Sequence, residues 1–265
     1  MKEYFVGIDA GSTYVKVVFL DEQGLLAGFD HRSTGINPDQ VSKKIIKEII
    51  KEKNINGDQV KKVTATGYSR RNIESAHDSV TEIKAHAAGA VWSAPKGVDI
   101  QTVIDIGGQD SKVIILNPDG GVLTFSMNDK CAAGTGRFLE SLARVLELDV
   151  TQLGQISLKS NLPLNINSTC VVFAESEVVS LIVKKKKPED IVAGIHRSLA
   201  KRIAGMARKA GITPQILLTG GGGLNQGIAA ALDEELFMDI HVPEHPQLNG
   251  ALGAALIGKQ ESRLY

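Results

Sequence analysis

The pattern Asp-x-Gly stands between two apolar strands at two places in this chain, first at Asp9 and again at Asp105. The copies are related by one constant offset, so that Ile8–Leu26 aligns without a gap with Ile104–Val122. Glycine allows backbone N–H groups to approach phosphate oxygens, and a carboxylate can hold Mg²⁺ through the waters that this ion retains. The duplication therefore predicts two related hairpins that bind a phosphate chain and its metal ion.

Each turn also carries donors for phosphate oxygens, in the form of backbone N–H groups at glycine, hydroxyls or an amine. The residues predicted to contact the phosphates are Gly11, Ser12, Thr13, Lys16, Gly107 and Gly108. Asp9, Asp105 and Gln109 are the candidate catalytic residues, and the two aspartates are the candidate Mg²⁺ sites. A single hairpin of this kind is more often an ordinary β-turn, whereas two equivalent copies favour nucleotide binding.

A third glycine-rich segment, Thr219–Asn225, follows an apolar strand and precedes an alanine-rich helix. Without side chains, such a loop can lie flat against adenosine, and its alternative is a flexible connection. The residues predicted to bind the adenosine part of ATP or ADP are Gly220, Gly221, Gly222 and Asn225.

The elements that must position these residues alternate along the chain, which predicts an α/β fold. The predicted strands are Phe5–Ile8, Val15–Leu20, Leu25–Asp30, Val60–Ala65, Val103–Ile106, Lys112–Leu116, Val122–Met127 and Ile216–Leu218. The predicted helices are Val41–Ile50, Ile83–Trp92, Phe138–Leu146, Ala174–Lys187, Ile191–Met206 and Gly250–Ile257. Pro95–Gly97 is the candidate hinge between one domain of residues 1–96 plus 247–265 and a second of residues 97–246.

Composition excludes several classes of partner. The 265 residues include 30 acidic and 30 basic side chains, so net charge does not point to nucleic acid or a membrane surface. No long apolar segment precedes Asp9 and none approaches the length of a membrane span, so we expect a cytoplasmic protein. In that compartment Cys131 and Cys170 are expected to be thiols or metal ligands rather than a disulfide.

Four segments are similar to the BadF/BadG/BcrA/BcrD ATPase family, the activators of 2-hydroxyacyl-CoA dehydratases. They are Asn128–Phe138, Ser168–Glu177, Ile191–Ser198 and Asn249–Ala255. The two hairpins and the later glycine loop also resemble the actin, sugar-kinase and heat-shock-chaperone ATPase fold. That fold implies two related domains with the nucleotide in the cleft between them. The resemblance extends over nearly the whole chain.

The resemblance implies a homodimer with one [4Fe–4S] cluster on its two-fold axis, held by Cys131 and Cys170 of both chains. It also implies ATP-driven transfer of one low-potential electron to an iron–sulfur acceptor enzyme. The acceptor would be a 2-hydroxyacyl-CoA dehydratase or a double-cubane-cluster protein, and a ferredoxin or flavodoxin would supply the electron.

The residues around the cysteines support this interpretation independently. A [4Fe–4S] cluster normally takes four thiolates, and a two-fold dimer doubles the two cysteines of one chain. Gly134, Thr135 and Gly136 lead into a helix, and free N–H groups at its positive end would favour an anionic cluster. Two buried apolar cysteines, or a zinc ion bridging the chains, are the alternatives.

Two other functions are compatible with a nucleotide-binding fold of this kind. A small-molecule kinase would use an aspartate as base, for which Asp110 is the candidate. A non-redox, nucleotide-dependent scaffold would contain no iron. The chain also departs from the family pattern at Ser69, Lys84 and the pair Gly222–Gly223, where glycine, cysteine and Val-Ala are expected.

Overall fold

The computed structural model describes residues 2–166 and 170–263. Its strands are β1 (Tyr4–Ala10), β2 (Tyr14–Asp21), β3 (Leu26–Ser33), β4 (Val60–Thr66), β5 (Asp78–Ser79), β6 (Thr102–Ile106), β7 (Ser111–Leu116), β8 (Val122–Asn128), β9 (Ile216–Thr219) and β10 (Ile240–His241). Its α-helices are α1 (Pro38–Glu52), α2 (Glu82–Ser93), α3 (Gly136–Val145), α4 (Leu153–Ser157), α5 (Val171–Val183), α6 (Pro188–Ala210), α7 (Gln226–Leu236) and α8 (Asn249–Ser262).

The chain forms two compact units. The first comprises Met1–Ala94, Pro118–Val122 and Leu248–Tyr265, and the second comprises Pro95–Asn117 and Leu123–Gln247. The first unit contains a sheet of order β3-β2-β1-β4-β5, and the second a sheet of order β10-β9-β6-β7-β8. Read in reverse, the second order is β8-β7-β6-β9-β10, so that β6 takes the central position that β1 has in the first unit. The sequence repeat is therefore a repeat of sheet topology.

In the first unit, both faces of the central strand β1 are covered, which explains its nearly continuous apolar sequence. On one face, Ile8 and Val17 belong to the same buried cluster as Ile45 of α1. On the other face, α8 comes so close that a side chain at Gly7 would overlap the backbone of Ala251.

Helices α2 and α8 of the first unit also pack backbone against backbone. A Cβ atom on Gly89 would overlap the carbonyl oxygen of Asn249, and one on Gly253 would overlap that of Ala85. The small residues predicted for these two helices are therefore required by the closeness of their packing.

In the second unit, the 23-residue helix α6 provides much of the buried core, together with Phe138 and Leu142 of α3. It begins with Pro188, which suits the first turn of a helix, and ends at Gly211 with a positive φ of 82°. All six predicted helices and eight predicted strands are present. Prediction did not find the short elements α4, β5 and β10.

The helix bounds differ from the predicted ones by a few residues. Helix α5 begins at Val171, three residues before the predicted start near Ala174, and it ends at Val183, before the predicted limit at Lys187. Lys184 closes the last turn, and the following lysines form an exposed connection to α6. These lysines therefore lie beyond the helix, and its last turn contains no basic residue.

Candidate nucleotide and metal sites

The first hairpin holds Asp9 at the end of β1. The antiparallel register places Asp9 opposite Lys16, and the lysine Nζ lies 2.8 Å from Asp9 Oδ2. Two glycines leave room for the carboxylate, since a Cβ on Gly67 would lie 2.6 Å from Oδ1 and one on Gly250 would lie 3.2 Å from Oδ2. The ammonium group of Lys16, which was predicted to contact phosphates, therefore faces the Asp9 carboxylate.

The rest of this turn presents polar groups in two different settings. Gly11 N–H donates to the carbonyl of Tyr14 at 3.1 Å, which closes the turn, and the side chain of Ser12 is exposed. Thr13 Oγ1 is buried and has no hydrogen-bond partner within the described ranges. A buried hydroxyl in this condition fits a site for a phosphate oxygen or a hydrated Mg²⁺, because its burial is costly without a partner.

His86 and Asn249 lie beside this first aspartate, and sequence reasoning gave neither of them a role there. Asn249 Nδ2 donates to the backbone carbonyl of His86 at 3.0 Å and lies 3.3 Å from the ring atom Nδ1. His86 Nε2 lies 3.2 Å from the position that a Cβ on Gly250 would take. The segment Asn249–Ala255, selected for its family resemblance, was the available signal.

The second hairpin repeats this arrangement. Asp105 lies opposite Lys112 in the register of β6 and β7, and the lysine Nζ is 3.7 Å from Asp105 Oδ2. The same Nζ is 2.7 Å from Asp110 Oδ2, so the candidate base of a kinase is engaged in an ion pair. Thr219 Oγ1 donates to Asp105 Oδ1 at 2.8 Å, a contact that prediction missed because Thr219 was assigned only to the glycine loop. Gln109 is exposed in the turn.

The turn of the second hairpin is bonded to the beginning of α3. Gly136 N–H donates to the carbonyl of Gly107 at 2.8 Å, and Arg137 N–H donates to that of Gly108 at 2.9 Å. Thr135 N–H donates to Ala132 at 3.0 Å. The expectation of free N–H groups is therefore wrong for Thr135 and Gly136, because they donate to the turn of the second hairpin and to the preceding loop. Gly134 accepts a hydrogen bond from Ser111 Oγ at 2.6 Å.

The glycine loop divides into a packed and an open part. Gly220 adopts a φ of 80°, and a Cβ on Gly222 would lie 2.6 Å from Ile106 Cβ, so these glycines serve the packing of the second unit. Gly221, in contrast, has open space around its Cβ position and is exposed. Asn225 Oδ1 caps α7 by accepting from the N–H groups of Gly227 and Ile228.

Both cysteines are free thiols, partly buried, and each directly precedes a helical turn. Cys131 leads into the short turn Ala132–Gly134, with its carbonyl held by Asn128 Nδ2 at 2.8 Å. Cys170 is the N-cap residue of α5. The Ser168 and Thr169 positions of the predicted motif lie outside the described residues.

The described part of one chain does not complete a metal centre. No group of three or more His, Cys, Asp or Glu side chains able to hold a metal is found between residues 2–166 and 170–263. The chain has two cysteines, so a site of four thiolates would need more than one copy of it. The two thiols at helix starts fit such a shared centre, as each copy would offer the same pair.

Helix α5, which follows Cys170, is apolar on its outer side. Only Ala174 and Val178 are buried, whereas Phe173 is 61% exposed and Val183 is 75% exposed. An exposed apolar helix face of this kind is typical of a protein–protein contact.

The repeated sheet with an aspartate hairpin in each unit defines the two-unit, actin-like ATPase fold. The profile of the BadF/BadG/BcrA/BcrD ATPase family matches residues 6–258. The chain therefore belongs to this family, which confirms the predicted family and fold class.

Two relatives of known activity are similar over their whole length. The 2-hydroxyisocaproyl-CoA dehydratase activator of Clostridioides difficile is 42% identical over 260 residues, with 98% of this chain and 96% of that protein covered. The (R)-2-hydroxyglutaryl-CoA dehydratase activating ATPase of Acidaminococcus fermentans is 41% identical over 257 residues, with 97% of each chain covered.

A solved structure extends this similarity to three dimensions. The activator of the 2-hydroxyisocaproyl-CoA dehydratase from Clostridium difficile, with bound ADPNP, gives a TM-score of 0.92 at 41% identity. The match covers 98% of this chain and 96% of that one.

Across the described ranges, the helices of this chain lack the combination of length and apolar composition that a bilayer span requires.

Proposed function

We propose that this protein is an ATP-dependent activator that donates one low-potential electron to an iron–sulfur acceptor enzyme. The observation that carries the proposal is the pair of free, partly buried thiols, Cys131 and Cys170, each at the start of a helical turn in an ATPase-family chain. The acceptor class is a 2-hydroxyacyl-CoA dehydratase or a double-cubane-cluster protein, and a ferredoxin or flavodoxin reloads the activator. The activities of the two dehydratase activators support this choice.

Both aspartate hairpins take part in binding MgATP. Asp9 and Asp105 would hold the hydrated Mg²⁺. Thr13 Oγ1, which has no partner within the described ranges, would form a hydrogen bond with one of its waters or with a phosphate oxygen. Gln109, exposed in the turn that follows Asp105, is the candidate for orienting the attacking water. Gly221 presents the open surface against which the adenosine lies. The ADPNP bound by the Clostridium difficile activator supports nucleotide binding here.

The electron carrier is a [4Fe–4S] cluster shared by two copies of the chain, with Cys131 and Cys170 of each as ligands. When bound, the cluster supplies a low-potential one-electron couple. The two half-sets of thiols support a homodimer, and so does the exposed apolar face of α5 next to Cys170. Since α5 begins at the cysteine, a dimer contact along this helix would hold the ligand in place.

Hydrogen bonds join the second phosphate turn to the Cys131 segment, which supports a coupling of ATP hydrolysis to electron transfer. The turn accepts two N–H groups from the start of α3, and Ser111 Oγ of β7 holds the carbonyl of Gly134, three residues after the cysteine. A displacement of the turn between the ATP and ADP states would therefore move the loop that carries the thiol. A nucleotide can shift the protein between two conformations only if it binds one of them more tightly than the other.

Two substitutions test the ligand assignment. Cys131→Ser and Cys170→Ser each remove one thiolate per chain, and hence two of four per dimer, so bound iron and electron transfer should be lost. ATP hydrolysis should remain, because neither thiol is among the groups proposed to hold the nucleotide or Mg²⁺. The measurement is iron content of the anaerobically purified variants beside their rate of phosphate release.

Ser79→Ala is the control, since it removes one exposed polar atom from β5 of the first unit, outside α5 and outside the unit that contains both thiols. It should keep the iron content of the unaltered protein. Full iron content in either cysteine variant would overturn the ligand assignment.

A further inference from the structure

We propose that His196 is a positioning residue for the adenosine end of the nucleotide site, acting through Asn225. This inference rests on the proposed binding of adenosine by the loop that ends at Asn225. His196 lies in the middle of α6 and is only 1% exposed. The function proposed above makes no use of this buried imidazole.

The direction of each hydrogen bond follows from the partners. Asn225 Oδ1 accepts from Gly227 N–H at 3.0 Å and from Ile228 N–H at 3.2 Å, which assigns the other side-chain atom as the amide nitrogen. That Nδ2 lies 3.1 Å from His196 Nε2, so the imidazole nitrogen must accept. The ring proton is therefore on Nδ1.

The chain of bonds continues to a backbone carbonyl. His196 Nδ1 lies 2.9 Å from Ser157 Oγ and donates to it, and this hydroxyl donates to the carbonyl of Gly154 at 2.9 Å. The three hydrogen bonds thus run in one direction, from Asn225 Nδ2 to the carbonyl of Gly154. The arrangement requires one tautomer of a neutral imidazole.

Packing fixes the same geometry. A Cβ on Gly227 would overlap Ser157 Oγ and lie 2.6 Å from His196 Nδ1, and one on Gly154 would lie 2.8 Å from Asn225 Oδ1. Helices α4, α6 and α7 therefore meet at this network without space for another side chain. Burial lowers the pKa of His196 to about 4, which keeps Nε2 able to accept at neutral pH.

Asn225 connects this network to the loop. It follows the turn Gly221–Leu224 directly, and its own N–H donates to the carbonyl of Gly222 at 3.1 Å. Fixing the Asn225 side chain therefore fixes both the start of α7 and the end of the turn that presents Gly221. His196 acts on nucleotide affinity without touching the nucleotide.

Two replacements of the histidine separate positioning from packing. In His196→Gln, the amide oxygen reaches the place of Nε2 and still accepts from Asn225. In His196→Asn, the shorter amide reaches only the place of Nδ1, so Asn225 Nδ2 loses its acceptor. We expect the Kd for ADP, measured by calorimetry on the full-length protein, to rise about tenfold in His196→Asn and less than about threefold in His196→Gln.

The KM for ATP should follow the same order while kcat changes little, because the phosphate turns are unaltered. Iron per dimer should stay the same in both variants. His241→Asn provides a control, since His241 is a partly buried histidine of the same unit that bonds Gln215. It should leave the Kd for ADP unchanged.

Equal losses of ADP affinity in His196→Gln and His196→Asn would overturn the inference, and so would unchanged affinity in both. If His196→Asn does not fold, Ser157→Ala takes its place, because it removes the acceptor that holds the ring proton on Nδ1. Unchanged ADP affinity in Ser157→Ala would then contradict the inference. If the unaltered protein itself does not bind ADP, the proposed nucleotide site fails first, and the inference fails with it.

Discussion

The carboxylates of Asp9 and Asp105 are each held opposite a lysine of the next strand, at 2.8 Å for Lys16 and 3.7 Å for Lys112. Both aspartates are almost fully buried. Carboxylate oxygens are ligands that a hydrated Mg²⁺ ion takes in proteins, often through its waters. Each hairpin therefore holds a buried carboxylate beside a lysine of the neighbouring strand.

Replacing the first aspartate tests this account at a single residue. Asp9→Asn keeps the shape of the side chain and removes the charge that faces Lys16 and would hold Mg²⁺. We expect ATP hydrolysis to fall by about 100-fold or more, a loss typical of removing one electrostatic group from a reaction centre. Bound iron should be unchanged, because Asp9 lies in the first unit and both cysteines in the second.

Asp30→Asn is the matched control, since Asp30 also pairs with a cation, Arg32 at 3.0 Å, but on the surface of the same sheet. Its hydrolysis rate should equal that of the unaltered protein. Full hydrolysis in Asp9→Asn would remove this aspartate from the mechanism.

Sequence identified both aspartates because the repeat places them at equivalent positions. It did not identify the contacts of Thr219 with Asp105 or of Lys112 with Asp110, which depend on strand register and side-chain direction. The equivalence of Lys112 with Lys16 was visible in the repeat, but the expected target of Lys16 was a phosphate. The sequence repeat thus indicates which residues lie in the two hairpins, but it does not predict which atoms their side chains contact.

At the scale of elements, the packing of α2 against α8 depends on glycine. The two helices approach so closely that a methyl group on Gly253 would overlap a backbone carbonyl, which cannot move like the end of a side chain. Sequence predicted both helices from their alanine and glycine content. It did not predict the start of α5 at Val171, because the apolar residues of this helix show little periodicity and Cys170 is not a typical cap.

Two glycine-to-alanine substitutions compare a tightly packed helix position with a helix position that has free space around it. Gly253→Ala should lower the free energy of unfolding by about 2 kcal/mol or more, since overpacking outweighs the gain in helix propensity. Gly205→Ala, in α6, meets no atom within 4 Å and should raise it by about 0.5–1 kcal/mol. Denaturant unfolding of both variants gives the comparison, and a stabilised Gly253→Ala protein would show that α2 and α8 do not pack as described.

At the scale of the whole molecule, two units with the same sheet order each contribute one aspartate hairpin, and only the second contains cysteines. The duplicated pattern predicted the repeated topology, because strand, turn and strand recur with the same spacing. The cysteine segments point to a more specific function than the fold does, because the same architecture also supports kinases and scaffolds. With two thiols per chain, the proposed metal centre would require a dimer.

The central claim is that two copies of this chain share one iron–sulfur cluster in an ATPase. Its most direct test is the iron and acid-labile sulfide content of the anaerobically purified protein, measured per dimer together with its mass in solution and its visible spectrum. We expect a brown dimer with about four iron and four sulfide ions. A colourless protein that remains iron-free after anaerobic reconstitution would contradict it.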